Sequence, residues 1–301
     1  MNISEILEKC ELCPHKCSVN RIEGNVLGRC KAGKNPKIAL ARLHFFEEPC
    51  VSGKNGSGTV FFSGCNLSCK FCQNYEISQE HYGKEITIEE LSNIFIDLQN
   101  QNANNINLVT GFMYVPQIIE AIKIARKNGL KIPIVYNSSG YESIETIKLL
   151  NGYIDVYLPD FKYYYNELGM RLSNVNNYPE IAKNAILEMY SQVGNPQIDE
   201  NGIIQKGLIV RHLILPNHIQ NSKMILKWIK KNLSKKVLVS VMAQYFPANK
   251  ANEIEDINRK LNENEYEEIL NFVEEYEING YIQHLEENEK QYVPNFKEDN
   301  L

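Results

Sequence analysis

Short runs of β-branched and aliphatic residues alternate along this chain with longer amphipathic stretches. The runs predict six strands, at residues 59–63, 106–110, 132–137, 154–158, 208–215 and 237–241. The stretches between them predict helices at residues 87–101, 115–128, 143–150, 178–192 and 219–232. Strands that each lead into a helix form a parallel sheet with right-handed crossovers. We therefore expect an α/β fold, best matched by a partial (β/α)6 barrel, with a doubly wound sheet as the alternative.

Local signals refine this outline. Thr87 followed by Glu90 predicts a capping box at the start of the first helix. Turn signals predict a short hairpin within residues 194–207, and a last helix is expected at 263–279. A solvated tail, residues 281–301, follows. Its charged residues include Glu286, Glu287, Glu289 and Lys290.

Composition removes several classes of function. The 301 residues include 32 Lys and Arg against 37 Asp and Glu, a formal net charge of −5. Without a basic excess the chain lacks the electrostatic footprint of a nucleic-acid-binding protein. Its apolar stretches, at 207–216 and 237–243, are much shorter than the roughly 20 residues of a membrane span. The first residues do not resemble a signal peptide, so we expect a cytoplasmic protein with no membrane partner.

The most informative motif holds Cys65, Cys69 and Cys72, spaced C-x3-C-x2-C directly after the first predicted strand. Three thiolates in one loop hold three irons of a cubane cluster and leave the fourth iron open, whereas ferredoxin-type carriers supply four cysteines. Functional loops of parallel sheets lie at this same end of the strands. The spacing therefore predicts a [4Fe-4S] cluster that reserves one iron for a substrate or cofactor. Buried thiols or a zinc site are the alternatives.

With Phe71 just before its last cysteine, this motif resembles that of the radical S-adenosylmethionine (radical SAM) enzymes. The resemblance covers about residues 58–280. It implies that SAM chelates the open iron through its amino and carboxylate groups, and that reduction cleaves SAM to methionine and a 5′-deoxyadenosyl radical that abstracts a substrate hydrogen. It also implies flavodoxin or ferredoxin as the electron donor.

Within that superfamily the chain looks like the branch labelled as pyruvate formate-lyase activating enzyme homologues. The likeness rests on residues 56–67, on Phe-Cys-Gln-Asn at 71–74, and on residues 158–163, 211–213 and 242–245. Members of that branch are commonly named by homology alone, so the label implies less about the substrate than it suggests.

The resemblance also implies SAM-binding residues at successive strand ends. Thr110 and Gly111 stand where activating enzymes bind the SAM amino group, although Phe112 replaces the usual acid there. Asn137 and Ser139 correspond to a ribose-binding turn. The other positions implied to bind SAM are Phe71, Asn74, Asp160, Lys162, Arg211, Gln244 and Tyr245.

Several of these positions also have structural interpretations. Asp160 and Lys162, two apart on an extended segment, point the same way; Lys162 suits the SAM carboxylate and Asp160 a polar or cation-binding role, with a surface ion pair as the alternative. Arg211 and His212 face opposite sides of their strand. We expect Arg211 to contact SAM and His212 to be a hydrogen-bonded structural residue. Gln244 and Tyr245 replace a histidine that contacts adenosine in activating enzymes.

A second group, Cys10, Cys13, Cys17 and Cys30, lies in a turn-rich N-terminal segment, residues 1–57. Four soft ligands hold either zinc or a second iron-sulfur cluster. From the sequence we favour zinc, because a segment without its own core is ordered by a metal. Free thiols are the third alternative. Residues 58–280 form the predicted barrel domain. Cys50 stands alone, and the sequence assigns it no role.

These observations leave three hypotheses of function. The first is a radical SAM oxidoreductase that abstracts hydrogen from a protein or peptide. The second is radical modification of a small molecule or RNA. The third, a non-enzymatic electron carrier, is disfavoured because a carrier gains nothing from an open iron.

Overall fold

The fold is seen in a computed structural model that describes residues 3–24, 27–285 and 294–296. Its strands are β1 Lys37–His44, β2 Ser57–Phe62, β3 Lys84–Glu85, β4 Ile106–Val109, β5 Ile134–Ser138, β6 Val156–Pro159, β7 Gln197–Ile198, β8 Ile204–Leu213, β9 Leu238–Met242 and β10 Gly280–Ile282. Its helices are α1 Ile3–Glu8, α2 Pro49–Ser52, α3 Tyr75–Ser78, α4 Ile88–Asn100, α5 Val115–Lys127, α6 Ile144–Leu149, α7 Asn166–Ser173, α8 Tyr178–Val193, α9 Ile219–Asn232 and α10 Glu263–Glu275. Four charged residues of the predicted tail lie outside the described residues: Glu286, Glu287, Glu289 and Lys290.

One sheet carries the fold, in the order β10-β9-β8-β6-β5-β4-β2-β1-β3. All neighbours from β2 to β10 along this path are parallel. Each successive parallel strand is added on the same side of the previous one, so the order never reverses as it does in a doubly wound sheet. With right-handed crossovers, such winding places the helices on one face and curls the other face into a lumen. The partial barrel is therefore confirmed.

Alternation along the strands separates two apolar regions. Val60 of β2, Leu108 of β4 and Val210 of β8 belong to the large core beneath the helices. Val135 of β5 and Val156 of β6 belong to a smaller cluster on the opposite, inner face. Period-two alternation of this kind is what a strand between two different environments requires. Residues on the inner face line the lumen.

The short helix α2 plugs this lumen from below. Cys50 and Val51 are 2% and 0% exposed, and they pack against inner-face residues such as Val135 and Val156. Asn105, just before the first residue of β4, donates its Nδ2 to the Val51 carbonyl at 2.8 Å. The contact lies at the amino ends of the strands, so the plug closes the end of the lumen opposite the cysteine loop.

Most predicted elements are confirmed, with shifted ends. The capping box at α4 is present, with Glu90 N–H donating to Thr87 Oγ1 at 3.1 Å. The predicted hairpin is β7 paired with the start of β8. The last helix was predicted to run to residue 279 but ends at Glu275.

Several elements were not predicted, among them the short elements α1, α2, α3 and β3. Strand β1 adds antiparallel to β2, so part of the N-terminal segment belongs to the sheet. Helix α7 lies between β6 and α8, and β10 extends the sheet beyond β9. Among the described helices, none has the length and apolar character to cross a membrane.

Candidate active site

A cavity of about 580 Å³ lies above the α2 plug. Its walls come from the carboxyl ends of the strands, from the cysteine loop and from the segment between β1 and α2. The predicted site residues among its walls are Cys69, Phe71, Cys72, Asn74, Asn137, Asp160, Lys162, Arg211 and Gln244. One cavity therefore gathers side chains predicted from five separate stretches of sequence.

The cysteine loop is anchored tightly where it leaves β2. Gly64 has φ +97°, and a Cβ added there would stand 2.6 Å from the Cys30 carbonyl oxygen, so both the conformation and the space require glycine. The loop is held further by Asn66, whose Nδ2 donates to the Tyr141 carbonyl at 2.6 Å. These contacts fix the direction in which the three thiols point.

Each thiol of the loop has a hydrogen-bond donor near it. Ser173 Oγ donates to Cys69 Sγ at 2.9 Å, and the Leu67 N–H donates to Cys65 Sγ at 3.4 Å. Cys72 Sγ lies 3.3 Å from Ser78 Oγ. Hydrogen bonds to cysteine sulfurs are one of the means by which proteins tune iron-sulfur clusters.

Burial raises the pKa of the Cys72 thiol to about 11 and raises the pKa values of Cys65 and Cys69 as well. A coordinating metal removes such a proton outright. Among the described residues, no three His, Cys, Asp or Glu side chains crowd around a point as ligands of a single ion do. A cubane distributes its thiolates over separate irons and needs no such crowding, so the donor set fits a three-cysteine [4Fe-4S] cluster.

An ion network centred on Arg211 spans the lumen next to this loop. Arg211 Nε lies 3.0 Å from Asp160 Oδ1, and Nη2 donates to Asn137 Oδ1 at 2.7 Å. Asp160 also pairs with Lys162 at 2.5 Å, which confirms that these two side chains point the same way. The pairing across β6 and β8 follows from their parallel bridge at Asp160 and Arg211.

The pairing determines the charges of these groups. Burial alone would lower the pKa of Lys162, but the Asp160 carboxylate outweighs it and the pKa is raised. For Asp160, burial is outweighed by Lys162 and Arg211, and the pKa is lowered. Lys162 is also close enough to Cys69 to lower the pKa of that thiol against the effect of burial. The side of the cavity next to the cysteine loop therefore carries two fixed cations.

Two acids that the sequence analysis missed form the floor. Glu47 Oε2 lies 3.2 Å from Arg211 Nη1, and its Oε1 accepts from Asn107 Nδ2 at 3.0 Å. Glu48 is 7% exposed, and its Oε2 has no hydrogen-bond partner. Burial raises the pKa of both carboxyls against the attraction of Arg211. The sequence signal that could have identified them is a pair of adjacent acids directly before the proline of α2. The pair does not lie on a strand, so no alternation pattern could have placed it in the lumen.

Four predicted SAM contacts are not among the cavity walls: Thr110, Gly111, Ser139 and Tyr245. Gly111 packs so closely on Ile118 that an added Cβ would stand 2.7 Å away from it. Tyr245 is 1% exposed, donates to the Ile257 carbonyl at 2.7 Å, and packs behind Phe71 with ring centroids 5.9 Å apart. In this structure Tyr245 supports the cysteine loop from outside the cavity.

His212 is a structural histidine, as expected. It is 1% exposed on the side of β8 away from the lumen. Its ring nitrogens lie 2.7 Å from the Phe161 carbonyl oxygen and 2.8 Å from Ser222 Oγ. Burial lowers its pKa to about 4, so the ring is neutral near pH 7.

The fold and the site together define an open α/β barrel with a three-cysteine loop at the carboxyl end of its first parallel strand. The family model of the radical SAM superfamily matches residues 59–196. An uncharacterized protein of Methanocaldococcus jannaschii is 37% identical over 282 residues, covering 91% of this chain and 76% of that protein. This chain belongs to the radical SAM superfamily. Membership implies a [4Fe-4S] cluster and SAM as cofactors.

Two less similar proteins are matched over a smaller share of their own length. The pyruvate formate-lyase-activating enzyme of Clostridium pasteurianum is 27% identical over 116 residues, which are 36% of this chain and 49% of that enzyme. The crystal structure of HydG, a maturase of the [FeFe]-hydrogenase, aligns with a TM-score of 0.51 and 13% identity, covering 76% of this chain and 51% of that one. The chain thus spans about half the length of each, and the likeness to HydG concerns the fold alone.

Proposed function

We propose that this protein binds SAM in the cavity above α2, cleaves it reductively at a cluster held by Cys65, Cys69 and Cys72, and uses the resulting 5′-deoxyadenosyl radical to abstract hydrogen from a protein or peptide. The observation that carries the proposal is the convergence of Cys69 and Cys72 with Lys162 and Arg211 on one cavity. A cluster with an open iron supplies the electron and the chelation site for SAM.

The protein's own residues supply positioning. Lys162 and Arg211 are held in place by Asp160 and offer positive charge for the SAM carboxylate. Asn137 and Gln244 bring neutral polar groups to the cavity wall, suited to hydroxyls and ring nitrogens. The α2 plug closes the lumen from below, so a reactive radical is shielded from water on that side.

The residues that line the cavity from the segment after β1 and from the edge strand β10 support a peptide substrate. Phe45 and Phe46 are cavity residues 51% and 43% exposed, on the segment after β1. The edge strand β10 contributes Gly280, Tyr281 and Ile282 to the walls. A cavity lined both by exposed aromatic groups and by an edge strand suits an extended segment of another chain. The partial similarity to an activating enzyme agrees with this assignment.

A small polar metabolite is the second candidate. The floor acids Glu47 and Glu48 and a volume of about 580 Å³ favour it, since this is the size and character of a small-molecule pocket.

The test has two stages. Protein reconstituted without oxygen and reduced with dithionite should convert SAM to 5′-deoxyadenosine, and the variant with Cys65, Cys69 and Cys72 all replaced by Ala should not. A Cys50→Ala variant, altered outside the loop, should retain the activity. Undiminished cleavage by the triple variant would overturn the cluster assignment.

Substrate class is tested by adding cell extract and measuring 5′-deoxyadenosine. Stimulation by the fraction retained on dialysis, abolished by protease, is the result we expect. Stimulation by the dialysable fraction would assign a metabolite, and nuclease-sensitive stimulation would assign RNA; either would overturn the peptide assignment.

A further inference from the structure

The four N-terminal cysteines converge on one small cavity, separate from the SAM site. Cys10, Cys13, Cys17 and Cys30 all line it, together with Phe112 and Met113 from the junction after β4. Phe112 occupies the position where activating enzymes were expected to have an acid, and here it closes this cavity. Cysteines from both ends of a 21-residue stretch thus meet around one apolar space.

The dimensions of this space distinguish its possible occupants. About 20 Å³ of it is open to the centre of a water molecule, so no lining sulfur lies closer than van der Waals contact to any such point. Thiolates that share one zinc ion lie only about 2.3 Å from it, which leaves no room for a water among them. In the described part of the chain no three His, Cys, Asp or Glu side chains are arranged as ligands of a single ion, which agrees with an occupant larger than one ion.

A charged residue beside the cavity, Arg21, favours an anionic group bound inside it. Arg21 is 2% exposed, and its Nη1 lies 3.7 Å from Cys10 Sγ. Its other partners are the carbonyls of Gly33 and Met113 and the ring of Tyr114. Within residues 3–24, 27–285 and 294–296 no carboxylate pairs with it. A buried guanidinium without a counter-charge is costly, and a cluster with four thiolate ligands carries net negative charge.

We propose that Cys10, Cys13, Cys17 and Cys30 hold a second [4Fe-4S] cluster, beyond the SAM-binding one. Three closely spaced cysteines with a remote fourth are typical of bacterial [4Fe-4S] sites, and hydrogen bonds to the sulfurs tune such clusters. The Arg29 N–H donates to Cys17 Sγ at 3.4 Å. This assignment replaces the preference for zinc, which rested on the need to order the segment; a cluster meets that need equally.

The site lies directly behind the SAM-cluster loop. Besides the contact of Cys30 with Gly64, His15 Nε2 lies 2.8 Å from the Asn66 carbonyl oxygen. Arg29 Nη2 donates to Ser68 Oγ at 2.9 Å. The N-terminal segment therefore contacts alternate residues of the loop between Gly64 and Ser68. A cluster bound by these four cysteines orders the N-terminal segment, and that segment packs against the SAM-cluster loop.

The test uses the full chain with Cys65, Cys69 and Cys72 replaced by Ala, reconstituted without oxygen. We expect about four irons and four sulfides per chain, little zinc, and a cluster signal by electron paramagnetic resonance after reduction. One equivalent of zinc without iron, two irons with two sulfides, or no metal would each overturn the proposal.

A converse variant, Cys13→Ala with Cys30→Ala, should lose about half of the wild-type iron, while Cys50→Ala should lose none. Should the converse variant fail to fold, the metal content of the triple variant still decides the question. Because the readout is metal content, failure here is distinguishable from failure of the SAM-cleaving function.

Discussion

At the scale of single residues, Arg211 joins several parts of the barrel. Its guanidinium contacts Asp160 just after β6, Asn137 of β5 and Glu47 of the segment before α2. The planar fork of arginine matches several acceptors at once, which an ammonium cannot do. The strand position of Arg211 was predictable from its polar side chain within an apolar run. The contact with Glu47 was not, because nothing in the sequence places a loop acid inside a barrel.

Arg211→Lys keeps the charge but cannot reach all three partners. We expect SAM affinity to fall about tenfold or more, as the loss of one charge-assisted hydrogen bond suggests, with iron content unchanged. Equilibrium binding of SAM to the anaerobic protein measures this. The matched control is Arg171→Lys, which alters the outward-lying pair with Asp256. Equal affinities of the wild type and the Arg211 variant would contradict the assigned role.

A second prediction concerns Glu142, a buried acid beneath β5 that accepts from Tyr136 Oη at 2.9 Å and from Ser138. Burial raises its pKa from 4.5 to about 7. The folded protein therefore holds this proton more tightly than the unfolded chain does. The resulting stabilisation is complete below about pH 4.5 and is lost as the pH rises through about 7.

The size of that effect is up to about 3 kcal/mol. The wild-type melting temperature should therefore fall between about pH 5 and pH 8, and Glu142→Gln, which does not titrate, should remove that part of the fall. Parallel pH profiles for the two proteins would show that Glu142 does not titrate in this range.

At the scale of elements, the parallel strands β2, β4, β5, β6, β8 and β9 were predictable, whereas β1, β3, β10 and helix α2 were not. Strands such as β4 and β6 are apolar runs buried on both faces, which the sequence displays directly. Strand β1 has four consecutive apolar residues at 38–41 between Lys37 and Arg42, so no strict alternation of apolar and polar residues marks it. Helix α2 has four residues, too few to show periodicity, and its burial results from tertiary packing.

Because α2 fills the lumen, shortening Val51 should leave a cavity there. We expect Val51→Ala to lower stability by about 2 kcal/mol, seen as a melting temperature several degrees lower. Ile198→Ala, on the 46%-exposed tip of β7, is the matched control and should change little. A Val51 variant as stable as the wild type would contradict the plug.

At the scale of the whole molecule, one chain folds its N-terminal segment around both ends of a barrel. The cysteine-rich part lies behind the SAM-cluster loop, while α2 closes the opposite end. The cysteine spacing, together with its place directly after a strand, predicted the loop, and the cluster chemistry of its cysteines stays a prediction. Which predicted SAM contacts reach the cavity depended on strand curvature and side-chain packing, so Tyr245 and Gly111 were placed in it by resemblance and lie outside it here.

The central claim is that the iron left open by Cys65, Cys69 and Cys72 binds SAM within this cavity. Pulsed electron paramagnetic resonance of the reduced protein, with SAM labelled with nitrogen-15 at its amino group and oxygen-17 at its carboxylate, tests it most directly. We expect hyperfine coupling of both labels to the cluster, absent when the three cysteines are replaced by Ala. A reduced cluster in the wild type that shows no coupling to either label would contradict it.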